Sequence, residues 1–118
     1  LDLAQANWGK VLFHCFSEGL KQMQQLKERG GRASFTGNLP YKKNVCVREA
    51  MKLQGVESLI LETDSPYLSP VPKRGKENEP SNLALIGEYT ATFFGVEKKD
   101  VAYRSFLNAN SFYGLEPR

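Results

Sequence analysis

Two side chains able to hold a divalent cation stand at comparable places in this sequence. His14 lies near the end of the apolar run Lys10 to Phe16, and Asp64 follows the apolar run Leu59 to Glu62. Imidazole nitrogen and carboxylate oxygen are the donors that hold Zn²⁺, Mn²⁺ or Fe in hydrolases, and Asp also serves Mg²⁺. Both runs read as strands buried on two faces, as in a parallel sheet. The C-terminal ends of such strands surround the crevice where ligands bind. By spacing alone, a hydrogen-bonded core histidine and an Asp that caps the turn at Ser65 and Pro66 are the commoner uses of these residues.

The elements that must position the two groups can be read in order. Asn7-Trp8-Gly9 is a turn into the first strand, where a period of two places Leu12, His14 and Phe16 on one face. Ser17 is the expected N-cap of a helix from Glu18 to Arg29, with Leu20, Met23 and Leu26 as its packing stripe and Gly30-Gly31 as its stop. A second strand spans Arg32 to Thr36 and ends at Gly37. Asn44 is placed to cap a helix through Leu53 that buries Val47, Ala50 and Met51, and Gly55 ends it. The third strand, Leu59 to Glu62, opens into a Pro-rich loop from Thr63 to Pro80. A helix from Ser81 to Phe94 burying Leu85, Ile86, Tyr89 and Phe93 follows, then another from Glu97 to Tyr113, breakable near Arg104, with Val101, Phe106, Ala109 and Phe112 as packing positions. The pattern is α/β, with three parallel strands joined by crossover helices.

Composition narrows the class. The chain has 118 residues, 41% hydrophobic and 25% charged, with a formal net charge of +3, which suits one small globular domain and neither demands nor excludes nucleic acid. No apolar run reaches the roughly 18 residues of a membrane span. Cys15 and Cys46 show neither metal-knuckle spacing nor a disulfide framework and read as reduced thiols, which points to the cytoplasm. Leu1 to Asn7 read as the tail of a helix, so the expectation is a piece of a longer chain. Three parallel strands leave apolar edges unpaired, and those edges need a partner.

The segments His14-Cys15-Phe16-Ser17, Ser34-Phe35-Thr36-Gly37, Leu61-Glu62-Thr63-Asp64-Ser65-Pro66-Tyr67-Leu68 and Arg74-Gly75-Lys76-Glu77-Asn78-Glu79-Pro80, with Asn108-Ala109 further on, occur in this order. Together they resemble the TatD family of metal-dependent deoxyribonucleases over nearly the whole chain. The resemblance implies the C-terminal part of a TIM-type (β/α)8 barrel of the metal-dependent hydrolase, amidohydrolase-like, superfamily. Residues 1–118 would then be a single partial domain of the last three βα units plus C-terminal helices, without the N-terminal part of the barrel. It implies that His14 and Asp64 are metal ligands, that Asp64 is catalytic, and that a divalent ion, Mg²⁺, Mn²⁺ or Zn²⁺, is the cofactor. The reaction implied is phosphodiester hydrolysis of DNA by metal-activated water. The family's other ligands, a His-x-His and a mid-chain Glu and His, have no counterpart in a chain with one His. The 118 residues alone are therefore expected to be inactive, and the missing half of the barrel or self-association is expected to cover the sheet edges.

Other readings stay beside this one. Arg74 and Lys76, with Lys73, can clamp substrate phosphates or form a solvated cluster offset by Glu77 and Glu79. Glu62 can be an acceptor behind the metal, or pair with an interior cation below it, the structural role being favoured. Tyr67 and Phe16 can stack on a base or belong to the core. Gly31 and Arg32, where the family carries bulkier apolar residues, predict a loosely packed start to the second strand. Cys15-x-Ser17-x-Gly19 falls one residue short of a nucleophile elbow, and the only His precedes Ser17, the wrong order for that fold. The non-enzymatic alternative is a truncated barrel fragment without activity that acts by packing on a partner or itself.

Overall fold

The computed structural model describes residues 2 and 4–115. β1 (Leu12–Phe13) and β2 (Arg32–Ala33) pair in parallel, with Leu12 opposite Arg32 and Phe13 opposite Ala33. Arg32 N–H donates to Val11 O at 3.0 Å and Ser34 N–H to Phe13 O at 3.1 Å; beyond an interruption, Phe16 N–H reaches Ser34 O at 3.0 Å. On the other side of β2 a single parallel bridge joins Phe35 to Leu61, with Phe35 N–H on Ile60 O at 3.0 Å and Glu62 N–H on Phe35 O at 2.9 Å. Three parallel segments thus lie side by side in chain order. Helices α1 (Leu20–Glu28) and α2 (Val45–Gln54) make the crossovers.

The ladders are shorter than the expected strands, for two reasons. Cys15 has φ 47, a left-handed conformation that breaks the two-residue alternation after His14. Phe16 is therefore 6% exposed and in the core, while the His14 side chain is 78% exposed; the two do not share a face. The second reason is Gln54, buried at the end of α2. Its Oε1 accepts Ala33 N–H at 2.9 Å, and its Nε2 donates to Ala33 O at 3.0 Å and to Ser58 O at 3.1 Å. A side-chain amide satisfies the backbone groups that a third strand would have met, and the strand joins only at Phe35.

Met23 and Leu26 of α1, Val47, Ala50 and Met51 of α2, and Ala33, Phe35, Leu39 and Leu59 form one buried cluster, as the helical spacing predicts. It continues into α3 (Leu83–Phe94) through Ile86 and Ala91 and into α4 (Lys98–Tyr113) through Val101. Leu85, Tyr89 and Phe93 are half-buried. Against expectation, Leu20, at the start of α1 one turn before Met23, is exposed, and so is Phe106. α4 runs unbroken through Arg104, which ion-pairs with Glu57 while Asn108 Nδ2 donates to Leu59 O at 2.9 Å. These two contacts hold the third segment from behind.

Local details also differ from the sequence reading. Ser17 does not cap α1: its hydroxyl donates to Cys15 O at 2.9 Å, and Gly19 occupies the N-cap without a side-chain bond. Asn44 stands at the N-cap of α2 but spends its amide on Asn38 O at 2.8 Å. The start of β2 is tight rather than loose, because a Cβ on Gly31 would overlap Leu26 and meet Trp8 Cε3 at 3.2 Å. Asp2, Ala4 and Gln5 form turns in place of a helical tail, and Leu1 and Leu3 lie outside the described residues.

Both sides of the three-segment sheet are open. Beside β1 lies a cleft of about 660 Å³ lined by Trp8, Phe13, His14, Phe16 and Leu26; beside the third segment lies one of about 500 Å³ lined by Leu61, Leu83, Val101 and Phe106. Among the described residues, no helix is long and apolar enough to cross a membrane.

Gln54→Ala should leave the Ala33 N–H and C=O buried without partners, a cost of about 2–4 kcal/mol. Equilibrium denaturation by urea measures it; a loss below about 0.5 kcal/mol would mean that water or a shifted strand replaces the amide.

Candidate metal centre

His14, Glu62 and Asp64 each present a donor atom at the C-terminal end of the parallel segments, and these atoms all lie within 4.8 Å of one another. His14 Nδ1 is 3.8 Å from Glu62 Oε1. The left-handed turn at Cys15 sets His14 at the end of its segment, and a matching turn at Asp64, φ 55, sets the second carboxylate. Left-handed backbone at non-glycine residues is uncommon and concentrates where structure is built for function. The turn after Asp64 is closed by other groups: Tyr67 N–H donates to Asp64 O at 2.9 Å, and Ser65 N–H to Thr63 Oγ1 at 3.3 Å. Among the described residues, the Asp64 carboxylate caps nothing.

Glu62 lies beside His14 and Asp64 rather than below them. Its Oε2 accepts the Cys15 N–H at 3.0 Å and the Ser34 hydroxyl, and its Oε1 faces His14. One carboxylate thereby ties the ends of all three segments together. Burial pushes the Cys15 thiol above its usual range and the nearby Asp64 and Glu62 charges add to this, while hydrogen bonds with Ser17 and Thr36 pull against it. One imidazole and two carboxylates, two of the three half-buried, fit a divalent ion of the Mg²⁺, Mn²⁺ or Zn²⁺ kind by donor chemistry. Such an ion takes about four to six donors, of which this trio could offer three.

The long loop is ordered around Asn78. Asn78 Nδ2 donates to Thr63 O at 2.8 Å and Tyr67 O at 2.7 Å, its N–H to Pro66 O at 3.0 Å, and its Oδ1 accepts from Glu79 N–H and Asn82 Nδ2, both at 3.0 Å. Gly37 is the seat of the loop: a Cβ there would overlap Leu68 O and lie 2.8 Å from Pro70 N. Lys73, Arg74 and Lys76 are exposed, and none forms an ion pair with Glu77 or Glu79 among the described residues. Arg74 instead stacks on Tyr41, its Cζ 3.8 Å from the ring centroid. Phe16 is buried in the core, its ring 6.0 Å from that of Phe35, so no face is open to a base, whereas Tyr67 is exposed. Glu62, expected mainly in a structural role, bonds Cys15 and Ser34 and also turns an oxygen toward His14, as its place two residues before Asp64 signals. Tyr41 carries no such signal, because its contact comes from a distant loop.

A family model described as TatD related DNase matches residues 1–114. Over 94 residues the chain is 39% identical to the uncharacterized metal-dependent hydrolase YcfH of Escherichia coli K12, a match that covers 80% of this chain and 35% of that protein. Over 112 residues it is 34% identical to the 3'-5' ssDNA/RNA exonuclease TatD of Citrobacter rodentium, covering 91% of this chain and 42% of that protein. The crystal structure of YJJV, a TatD homologue from Escherichia coli K12, superposes with a TM-score of 0.83 at 20% identity, over 98% of this chain and 45% of that one. The chain thus spans less than half the length of these relatives, and the structural likeness places its fold as part of a TatD-type barrel.

Glu62→Gln keeps the shape of the side chain and removes its charge. Titration of Zn²⁺ into the metal-stripped protein should show affinity lowered about 10- to 100-fold. Unchanged affinity would make Glu62 a strand clamp only.

Proposed function

This chain belongs to the family of TatD-related DNases, and on that footing we propose that it supplies part of the active site of a metal-dependent hydrolase that cleaves phosphodiester bonds in DNA. The observation that carries the reading is the convergence of His14, Glu62 and Asp64 within 4.8 Å at the open end of the sheet. His14 and Asp64 are the proposed ligands and Glu62 orients them, holding His14's neighbour through the Cys15 N–H. When bound, a divalent ion supplies Lewis-acid polarisation of the phosphoryl oxygen and a water of lowered pKa.

Asp64, whose carboxylate makes no hydrogen bond among the described residues, is the group proposed to orient the attacking water and accept its proton. Glu62 and Asp64 also put two negative charges where a phosphate must come, so substrate binding and cation binding are coupled by charge. The Citrobacter rodentium relative is named for single-stranded DNA and RNA; a single strand of DNA is the substrate proposed here. The free thiols of Cys15 and Cys46 suit work in the cytoplasm.

Among the described residues no other His, Cys, Asp or Glu joins this group, so in this reading further protein or water completes the coordination sphere. The two clefts beside the sheet edges are where the rest of a barrel, or a second copy, would pack. Exposed Phe13, Leu83 and Phe106 beside them favour a second reading, in which these residues act by packing alone.

In a polypeptide of the relatives' length, Asp64→Ala should lower Mg²⁺- or Mn²⁺-dependent cleavage of a labelled single-stranded oligonucleotide by about 10³-fold or more, and chelation should abolish it. Retained cleavage would remove Asp64 from its role. The 118 residues alone should not cleave; if the longer polypeptide is equally inert with either ion, the packing reading stands instead.

A further inference from the structure

Two loops that follow parallel segments of the sheet touch one another, and each carries cations. The segment after Gly37 carries Tyr41, Lys42 and Lys43; the Pro-rich loop carries Lys73, Arg74 and Lys76. Gly37 seats the second loop on the first, and the Tyr41 hydroxyl donates to Ser69 O at 2.6 Å. Arg48 holds the first loop from beneath, donating to Leu39 O at 2.6 Å and Tyr41 O at 2.8 Å. The Ser69 hydroxyl donates to Lys76 O at 2.6 Å and pins the far side of the loop. These bonds hold Tyr41, and the Arg74 guanidinium carbon sits over its ring, 3.8 Å from the centroid.

An aromatic face rather than a carboxylate holds this exposed arginine. Its position is set by an aromatic face, which leaves the N–H groups at the rim of its plane without a carboxylate, and none of the five cations is ion-paired among the described residues. A stacked guanidinium with its fork unspent is pre-organised for a phosphate, because the planar donors match two phosphate oxygens and less freedom is lost on binding. Lys42, Lys43, Lys73 and Lys76, exposed on the same two loops, add to the positive charge that a phosphate strand would meet.

We infer that Arg74, held in place by Tyr41, is a clamp for a phosphate of the nucleic-acid backbone beyond the scissile one, with Tyr41 as its positioning residue. This rests on the proposed nuclease reading for its substrate class. It goes further by assigning strand grip to a loop pair separate from the metal ligands. A contact remote from the chemistry contributes equally to ground and transition states, so its loss raises KM and leaves kcat alone.

The test is fluorescence anisotropy of a labelled oligothymidylate of about ten nucleotides, titrated with the protein in EDTA over a series of salt concentrations, so that binding is read without turnover. Arg74→Gln should weaken binding about tenfold and lower the slope of log K against log salt by about 0.7. Arg74→Lys should keep the slope and still lose several-fold in affinity. Tyr41→Leu should lose about fivefold and Tyr41→Phe should recover most of that, since the ring is what Arg74 rests on. Wild-type affinity and slope in Arg74→Gln overturn the clamp, whether or not the protein cleaves DNA with metal. A clamp seen in EDTA without any metal-dependent cleavage upholds this inference and sinks the nuclease reading alone. Equal losses in Tyr41→Phe and Tyr41→Leu would remove Tyr41 from its positioning role.

Discussion

The Glu62 carboxylate is the contact on which the geometry of this end of the molecule depends. Its one oxygen accepts from the Cys15 amide and the Ser34 hydroxyl, and the other faces His14. Without that acceptor, the left-handed turn at Cys15 would leave an amide unmet at the very place where the chain must present an imidazole. A charged acceptor strengthens both bonds and, half-buried, is screened less than a surface group. The same group that shapes the site also contributes charge to it, which couples fold and chemistry in a single side chain.

Around this point the structure is asymmetric. On one side Gln54 satisfies the backbone of Ala33, Asn108 that of Leu59, and Arg104 anchors the preceding turn through Glu57. In front, the loop from Thr63 to Pro80 is folded on Asn78 and seated on Gly37, so an eighteen-residue connection behaves as a rigid lip. To either side the sheet edges face open clefts. The hydrogen-bonded parts carry the proposed ligands and the Tyr41–Arg74 contact; the open clefts are lined largely by apolar side chains.

The sequence by itself determined the α/β order, the crossover helices and most of their buried faces. Hydrophobic spacing in α1, α2 and α4 reports a local periodicity that each helix meets within its own few turns, so Met23, Leu26, Val47, Ala50, Met51 and Val101 were legible. The pairing of His14 with Asp64 was legible too, since each follows an apolar run and the motifs around them carry a family resemblance. Three things were decided only by the tertiary structure. The left-handed turn at Cys15 broke the alternation and separated His14 from Phe16, because its stabilising acceptor, Glu62, comes from a different strand. Gln54 took the place of a ladder at Ala33, which no propensity encodes. Tyr41 met Arg74 because Gly37 let two loops touch. Each of these depends on contacts between residues distant in the chain, and local pattern carries no information about them.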